Sequence, residues 1–485
     1  MKPRLLRELT LYRFRYIIGY GAFFVLLALA LTTYVQSIPY GLTQGELDSA
    51  VASMHLNPRA ITPLNLVDVP YHALQKASIS LLGLTPLAIK LPSIIIAFAT
   101  GVCLVFMLRK WFRDNVAVIS SLLAVTTVPF LSGGRTGTSL IMTFFWTSLL
   151  LLAATNALHA KRYGAVWKTT GLIAALALIY SSFGIYPLIA LAISGILHPH
   201  VRHMFRTTKR SAYIVYGLIA TIGLAPLVLG ALQHPSILGT LAGIQLQDMS
   251  TDRLIDNARK LYGLFINPTG PAIRGDFIVP LFGTSTLALM AFGLLRTIYD
   301  RYSARSYMLL IWVGFLMPLV LLNPSTPFVV FIPSVLLLAI GVETLIREWY
   351  DIFPFNPYAR IGALIPLVIL LGSIMTTDLF RYFYGHLYSP SNTQMHDELL
   401  AVRRTLDSGN INRSDVTLVT TDNIKFYDLL RRDYKYLKAT DSAKLPKKGS
   451  VLTMDGVMLE NERPYRIVTN ARANDAQVLT VYTNR

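Results

Sequence analysis

The chain is poor in cysteine and in charge. One of its 485 residues is cysteine, Cys103 within an apolar run, so neither a disulfide framework nor a thiolate metal site can be built. Charged residues make up 14%, against about 25% in ordinary soluble domains, while 53% are hydrophobic. An ordinary soluble globule is thereby excluded. The remaining charge is lopsided, 44 Lys and Arg against 26 Asp and Glu, a formal +18. A nucleic-acid partner would need those cations gathered on a soluble face, but here they punctuate apolar runs. No internal repeat or low-complexity tract stands out, which weighs against the inverted repeats of many secondary transporters.

What is present is a series of apolar segments. Lys2, Arg4, Arg7, Arg13 and Arg15 precede an apolar stretch over 16–35, long enough for the roughly 30 Å of hydrocarbon and longer than a cleavable signal core. This reads as a retained signal anchor. Further segments run over 91–108, 116–131, 139–157, 170–180, 185–197, 213–232, 277–295, 307–322, 328–345 and 361–375. The expectation is an α-helical polytopic membrane protein with about eleven transmembrane helices. The turn Ser181-Ser182-Phe183-Gly184 separates two short segments, and one kinked helix there is the alternative.

Short cytoplasmic loops collect Lys and Arg. With the N-terminus cytoplasmic, the inner connections hold Arg109-Lys110 with Arg113, Lys161-Arg162 with Lys168, the cluster from Arg202 to Arg210, Arg296 with Arg301 and Arg305, and Arg347 with Arg360. Merging the two short segments would put the Arg202 cluster outside, so two helices are preferred. A membrane domain over 1–380 follows, with surface helices in its first outside loop, 37–90. Residues 381–485 have soluble composition and read as a small extracytoplasmic α/β domain: helices near 394–406 and 423–430, strands near 416–420, Tyr436, Val451, Ile467 and Val478. That domain shows no Gly-rich phosphate loop and no Cys/His cluster.

The spans as drawn carry essentially no ionisable residue away from their ends, whereas ion-coupled transporters need them there. Chemistry is therefore sought in the outside loops. In the first, Leu47, Ala50, Val51 and Met54 recur at helical spacing, with Glu46 and Asp48 near the start. Either carboxylate suits a general base, and Thr43-x-x-Glu46 also spells a helix-capping box. Asp68 in Asp68-Val69-Pro70-Tyr71-His72 stands before a second surface helix, as a further acidic site or as the cap of a helix with proline in its first turn. His72 is a packed imidazole or one that positions acceptor or donor. Arg135, in Ser132-Gly133-Gly134-Arg135-Thr136-Gly137-Thr138, offers a bidentate fork among glycines, suited to a phosphate or to interfacial lipid. Arg259, Lys260 and Arg274, around Asn267-Pro268-Thr269-Gly270-Pro271, add a basic loop that would hold an anionic lipid or simply anchor at the interface.

In this order the pieces resemble the GT-C superfamily of membrane glycosyltransferases, in the branch of protein O-mannosyltransferases and the bacterial aminoarabinose transferase. The likeness is most specific over 43–146. There the acidic surface helix is followed by Leu82-Gly83-Leu84-Thr85-Pro86-Leu87-Ala88-Ile89-Lys90-Leu91-Pro92-Ser93, and then by Gly134-Arg135-Thr136-Gly137-Thr138-Ser139-Leu140-Ile141-Met142-Thr143-Phe144-Phe145. It fades beyond about Leu345. The resemblance implies a first-loop carboxylate that activates the acceptor and basic residues that hold the phosphate of a polyprenyl-phosphate sugar. By position the family's Asp-Glu pair falls on Gly45-Glu46, its second acidic site on Asp68, its arginine on Arg135, and a later Asp on Ser139. Glu46 is thus kept, and Asp48 stands in for the missing Asp.

The expected function is inverting glycosyl transfer from a polyprenyl-phosphate or polyprenyl-diphosphate donor to an outside protein, lipid or glycan acceptor. Among the catalytic candidates Glu46, Asp48 and Asp68, Glu46 or Asp48 would act as general base and Asp68 would position acceptor or donor; Arg135, Arg259, Lys260 and Arg274 would hold donor phosphate, and His72 would position acceptor or donor. No metal or other cofactor is required, although the acidic loops could bind Mg²⁺ or Mn²⁺ through carboxylate oxygens. The rivals are a non-catalytic scaffold of the same fold and a lipid-linked sugar flippase.

Overall fold

The computed structural model describes residues 14–33, 35, 41–57, 66–159, 163–243, 251–266, 281–323, 327–352, 357–388, 398–408, 415–420, 422–441, 449–454, 463–470 and 476–484. Helix α1 (Arg15–Thr32) is followed by two surface helices, α2 (Gln44–Met54) and α3 (Val69–Leu82), and then by the long apolar α4 (Pro86–Trp111). Next come α5 (Asp114–Thr126), α6 (Val128–Arg135), α7 (Leu140–His159), α8 (Gly164–Ile179) and α9 (Ile185–Leu197). The middle of the chain forms α10 (Pro199–Thr207), α11 (Arg210–Gln233), α12 (Ser236–Ala242) and α13 (Thr251–Phe265). Helices α14 (Thr284–Tyr299), α15 (Ala304–Leu322), α16 (Phe331–Ile352) and α17 (Pro357–Tyr388) complete the helical body.

The eleven apolar segments read in the sequence each overlap helix, with 116–131 divided between α5 and α6; residues 34 and 277–280 fall outside the described residues. Among the described residues six helices are long and apolar enough to cross a membrane, or seven if one bent pair is a single span. That pair is α5 and α6, bent by 62°. Thr127 between them is extended, and Pro129 sits in the first turn of α6; proline has no N–H to continue the preceding helix. Three shorter apolar helices account for further segments. At Ser181-Ser182-Phe183-Gly184 the chain breaks into two helices, with Phe183 left-handed at φ 65°. Helix α17 runs past 380 to Tyr388, which places Asp378 inside an apolar helix that the sequence reading had ended at 375. There Thr286 Oγ1 donates to Asp378 Oδ2 at 2.9 Å, next to the start of α14, and a buried carboxylate needs such a partner.

The tail forms α18 (Glu398–Asp407), β1 (Val416–Val419), α19 (Ile424–Asp428), β2 (Leu437–Thr440), β3 (Gly449–Thr453), β4 (Arg466–Asn470) and β5 (Ala476–Asn484). The sheet order is β2-β1-β3-β5-β4, with β1 parallel to both neighbours and β5 antiparallel to β3 and β4. All five strands fall where alternation and β-branched residues placed them. Most of the tail's buried side chains are shared with the body: Leu399, Val402, Leu418 and Phe426 pack into one cluster with Leu47 and Ala50 of α2, Ile79 of α3 and Ile89 of α4, while Val419, Val451 and Tyr482 form a small cluster within the sheet. Polar contacts reinforce the seam. Asp433 Oδ2 accepts from the Leu84 amide at 3.0 Å and from Arg403 Nη1 at 2.7 Å, and Arg432 donates to Ser80 Oγ at 3.0 Å.

The backbones of α14 and α16 approach closely where the two helices cross. A Cβ on Gly293 would run into the Leu337 carbonyl oxygen, and one on Gly341 into the Leu289 carbonyl oxygen. Backbone cannot yield as a flexible side chain can. Gly293→Ala and Gly341→Ala are each expected to destabilise the protein by about 1–3 kcal/mol through overpacking, read as a lowered unfolding midpoint of the detergent-solubilised chain.

Candidate active site

Thr43 and Glu46 form the expected capping box on α2. The Thr43 amide donates to Glu46 Oε2 at 2.8 Å, and the Glu46 amide to Thr43 Oγ1 at 3.3 Å. The same carboxylate also reaches away from its helix. Its Oε1 accepts from the Gly137 amide at 2.7 Å and lies 3.9 Å from Lys90 Nζ, which donates to the Gly41 carbonyl at 3.1 Å. Glu46 is 0% exposed and Lys90 1%, so this is a buried ion pair stitched into backbone. A Cβ on Gly137 would lie 2.8 Å from the Ile89 carbonyl oxygen, and only glycine permits that approach.

Asp68 is the N-cap residue of α3 in the left-handed region, φ 55°, and Pro70 occupies the first turn as expected. Its side chain makes no capping bond to its own helix and bridges two other loops. Oδ2 accepts from Ser139 Oγ at 2.7 Å and Ser182 Oγ at 2.9 Å, and Oδ1 accepts from the Ser182 amide at 3.0 Å. The Asp68 amide donates to the Tyr180 carbonyl at 2.8 Å. Glu46 and Asp68 thus grip one short segment at two points, Gly137 and Ser139.

That segment begins at Arg135, which is fully buried. Its Nη1 and Nη2 donate to the carbonyls of Ala30 and Thr33 at 2.6 and 2.7 Å, satisfying the C-terminal end of α1. The guanidinium also stands over the rings of Tyr382 and Phe383 of α17, at 5.6 and 5.1 Å from the centroids. In this structure those two nitrogens are spent on protein.

One turn along α3 from Asp68, His72 is 8% exposed, with Nδ1 2.8 Å from Ser53 Oγ of α2. Burial lowers its pKa below the usual imidazole value, against the opposing pull of the Asp68 charge. The neighbouring Tyr71 hydroxyl, 2.8 Å from Ser93 Oγ, has its pKa raised chiefly by burial. Asp48 stands on another face of α2, exposed, where Gln44 Nε2 donates to both Asp48 Oδ1 (3.1 Å) and Asn423 Oδ1 (2.8 Å). Asp48, Val51, Asn423 and Lys425 line a cleft of about 310 Å³ between α2 and the tail.

Arg259 and Lys260 are exposed on α13, Arg259 3.5 Å from Asp256, and nothing ties them to Glu46 or Asp68. Arg274 and the 267–271 turn lie outside the described residues. Among the described residues no three His, Cys, Asp or Glu side chains gather as metal ligands. Sequence reading brought Glu46, Asp68, His72 and Arg135 into one region and missed Lys90, Gln75 and Ser182. Lys90 lay within a quoted motif as a lone cation at a span's outer end, a usable signal. Ser182 carried none.

Residues 70–229 match the model of the family described as dolichyl-phosphate-mannose-protein mannosyltransferase. The fold is that of the GT-C membrane glycosyltransferases, the class the sequence resembles. The chain superposes on ArnT from Cupriavidus metallidurans, solved bound to undecaprenyl phosphate, with TM-score 0.54 and 10% identity over 96% of this chain and 97% of that one. It superposes on the oligosaccharyltransferase of Archaeoglobus fulgidus with TM-score 0.54 and 13% identity, covering 89% of this chain and 65% of that one. No curated protein matches the sequence.

The buried pair yields a stability prediction. Glu46→Ala leaves the Gly137 amide and Lys90 without that carboxylate inside the protein, and is expected to cost about 3–5 kcal/mol, read as a lowered denaturant midpoint. A wild-type midpoint in that variant would show that the pair does not hold the loop.

Proposed function

We propose that this protein is a membrane glycosyltransferase that moves a sugar from a polyprenyl-phosphate-linked donor to an acceptor on the extracytoplasmic side. The observation that carries the reading is the convergence of Glu46, itself paired with Lys90, and Asp68 on the single segment that runs from Arg135 to Ser139. The family match over 70–229 and the fold shared with ArnT support it. The chain is multi-pass, and the first-loop helices share a core with the tail, which supports putting both on one side of the bilayer. Basic residues on the opposite connections make that side extracytoplasmic, with the N-terminus cytoplasmic.

In this scheme an acceptor group attacks the anomeric carbon in one displacement, so configuration inverts and lipid phosphate leaves. Glu46 and Lys90 hold the segment that frames the site. Asp68 provides the fixed negative charge beside which the acceptor loses its proton, because it is the acidic side chain that joins all three outside loops. Arg135 anchors α1 and contributes positive potential toward the leaving phosphate. Asp48, with Lys425 across the cleft, contacts the acceptor. The scheme needs no metal. One observation favours a second reading, a non-catalytic binding protein of the same fold: both Glu46 oxygens are engaged in structure, and Gly45 and Ser139 stand where the resembled family has acids.

Transfer from radiolabelled decaprenyl-phosphate mannose separates the readings. Asp68→Asn is expected to lower kcat by about 10²-fold or more, while Arg259→Ala and Lys260→Ala stay near wild type. Turnover undiminished in Asp68→Asn would remove this mechanism, and a wild-type chain that binds polyprenyl phosphate without turnover would support the binding-protein reading.

A further inference from the structure

Between α2 and α3 lies a polar seam whose hydrogen positions can be deduced. Gln75 is fully buried. One atom of its amide lies 3.1 Å from the Ile89 carbonyl oxygen and 2.9 Å from that of Gly137. Carbonyls only accept, so that atom is the NH₂. The opposite atom, Oε1, faces Ser49 Oγ at 2.8 Å and Ser53 Oγ at 2.6 Å. An amide oxygen only accepts, so both hydroxyls donate to it. Ser53 has a single proton, and Gln75 takes it. Toward His72 Nδ1, 2.8 Å away, Ser53 can then only accept, so Nδ1 carries the hydrogen. A neutral imidazole has one N–H, which leaves Nε2 with an open lone pair. Nε2 has no hydrogen-bond partner among the described residues.

Gln75 itself is oriented by the backbone of Gly137, the residue that Glu46 also grips. The tautomer of His72 is therefore locked to the segment on which the site is built. The charged group of the first loop that bears on the ring is Asp68, at the start of the same helix. The carboxylates are less suited to take a proton: Glu46 is enclosed, and Asp68 already accepts three hydrogen bonds.

We propose that His72, held as its Nδ1–H tautomer by Ser53 and Gln75, is the catalytic residue that accepts the acceptor's proton at Nε2. The proposal rests on the glycosyltransferase reading and names its base. The acceptor is a hydroxyl. Its oxygen forms the bond to the anomeric carbon, the bond from that carbon to the phosphate oxygen breaks with its electron pair, and the lipid phosphate departs. The hydroxyl proton moves to Nε2, the Asp68 charge favours the imidazolium, and the proton leaves on the departing phosphate or to water.

Two measurements on the full chain in lipid nanodiscs test this. Nitrogen NMR of histidine-labelled protein reads the tautomer directly, with His72→Asn assigning the signal. The expected result is an unprotonated Nε2 in the wild type and a mixture of tautomers in Ser53→Ala; an Nε2–H ring in the wild type overturns the proposal. In transfer from decaprenyl-phosphate mannose, His72→Asn keeps an N–H for Ser53 but offers no base. It is expected to lose about 100-fold in kcat at a nearly unchanged KM and wild-type thermal stability. Transfer that survives His72→Asn contradicts the proton step alone. A wild-type chain that binds this donor but never turns it over contradicts the transferase reading and the proton step together.

Discussion

Placing charge inside a membrane protein is costly unless every charge finds a partner, and this structure meets that constraint at one short connection. The segment from Arg135 to Ser139 is where buried ions of both signs are neutralised. Lys90 and Arg135 bring positive charge, Glu46 and Asp68 negative, and backbone groups and serine hydroxyls supply hydrogen bonds to these side chains. An isolated ion there would lose several kcal/mol of solvation. The network fixes three loops and the end of α1 against one another. Chemistry built on it inherits a rigid frame, which catalysis by positioning needs.

The same network explains how a residue can serve as scaffold in one chain while retaining the position of a reactive group. Glu46 caps α2 and holds Gly137. Gly45, one residue earlier, turns toward Thr138, where a Cβ would meet only an ordinary contact at 3.7 Å. Space for a side chain exists there, and this sequence leaves it unfilled. In the proposed reaction, acid-base chemistry then falls to Asp68 and the imidazole one turn along its helix.

Much of the architecture was legible in the sequence because its signals are local. Apolar run length marks helices, and alternation located all five tail strands. The break at Ser181 was legible for the same reason, since Ser181, Ser182 and Gly184 interrupt the apolar pattern. The bend between α5 and α6 was not, because Thr127-Val128-Pro129 sits inside a run that hydropathy alone reads as one span. At the site, the Thr43 to Glu46 capping box is visible as a four-residue pattern, whereas the contact of Glu46 with Gly137 spans 91 residues. The Asp68 link to Ser182 spans 114. No periodicity encodes such pairings. Arg135 was recognised as important, but its spacing gave no hint that its nitrogens end α1. The shared core of tail and first loop was likewise hidden, because each half reads as an ordinary amphipathic pattern.

The central claim is that a lipid phosphate reaches the face of the molecule where Asp68, His72 and Ser182 meet. Its most direct test is an experimental structure of the chain in a nanodisc containing polyprenyl phosphate. The account predicts phosphate density on that face, beside the segment from Arg135 to Ser139. Phosphate bound at the opposite end of the helices, among Arg202, Arg206 and Arg210, would contradict it.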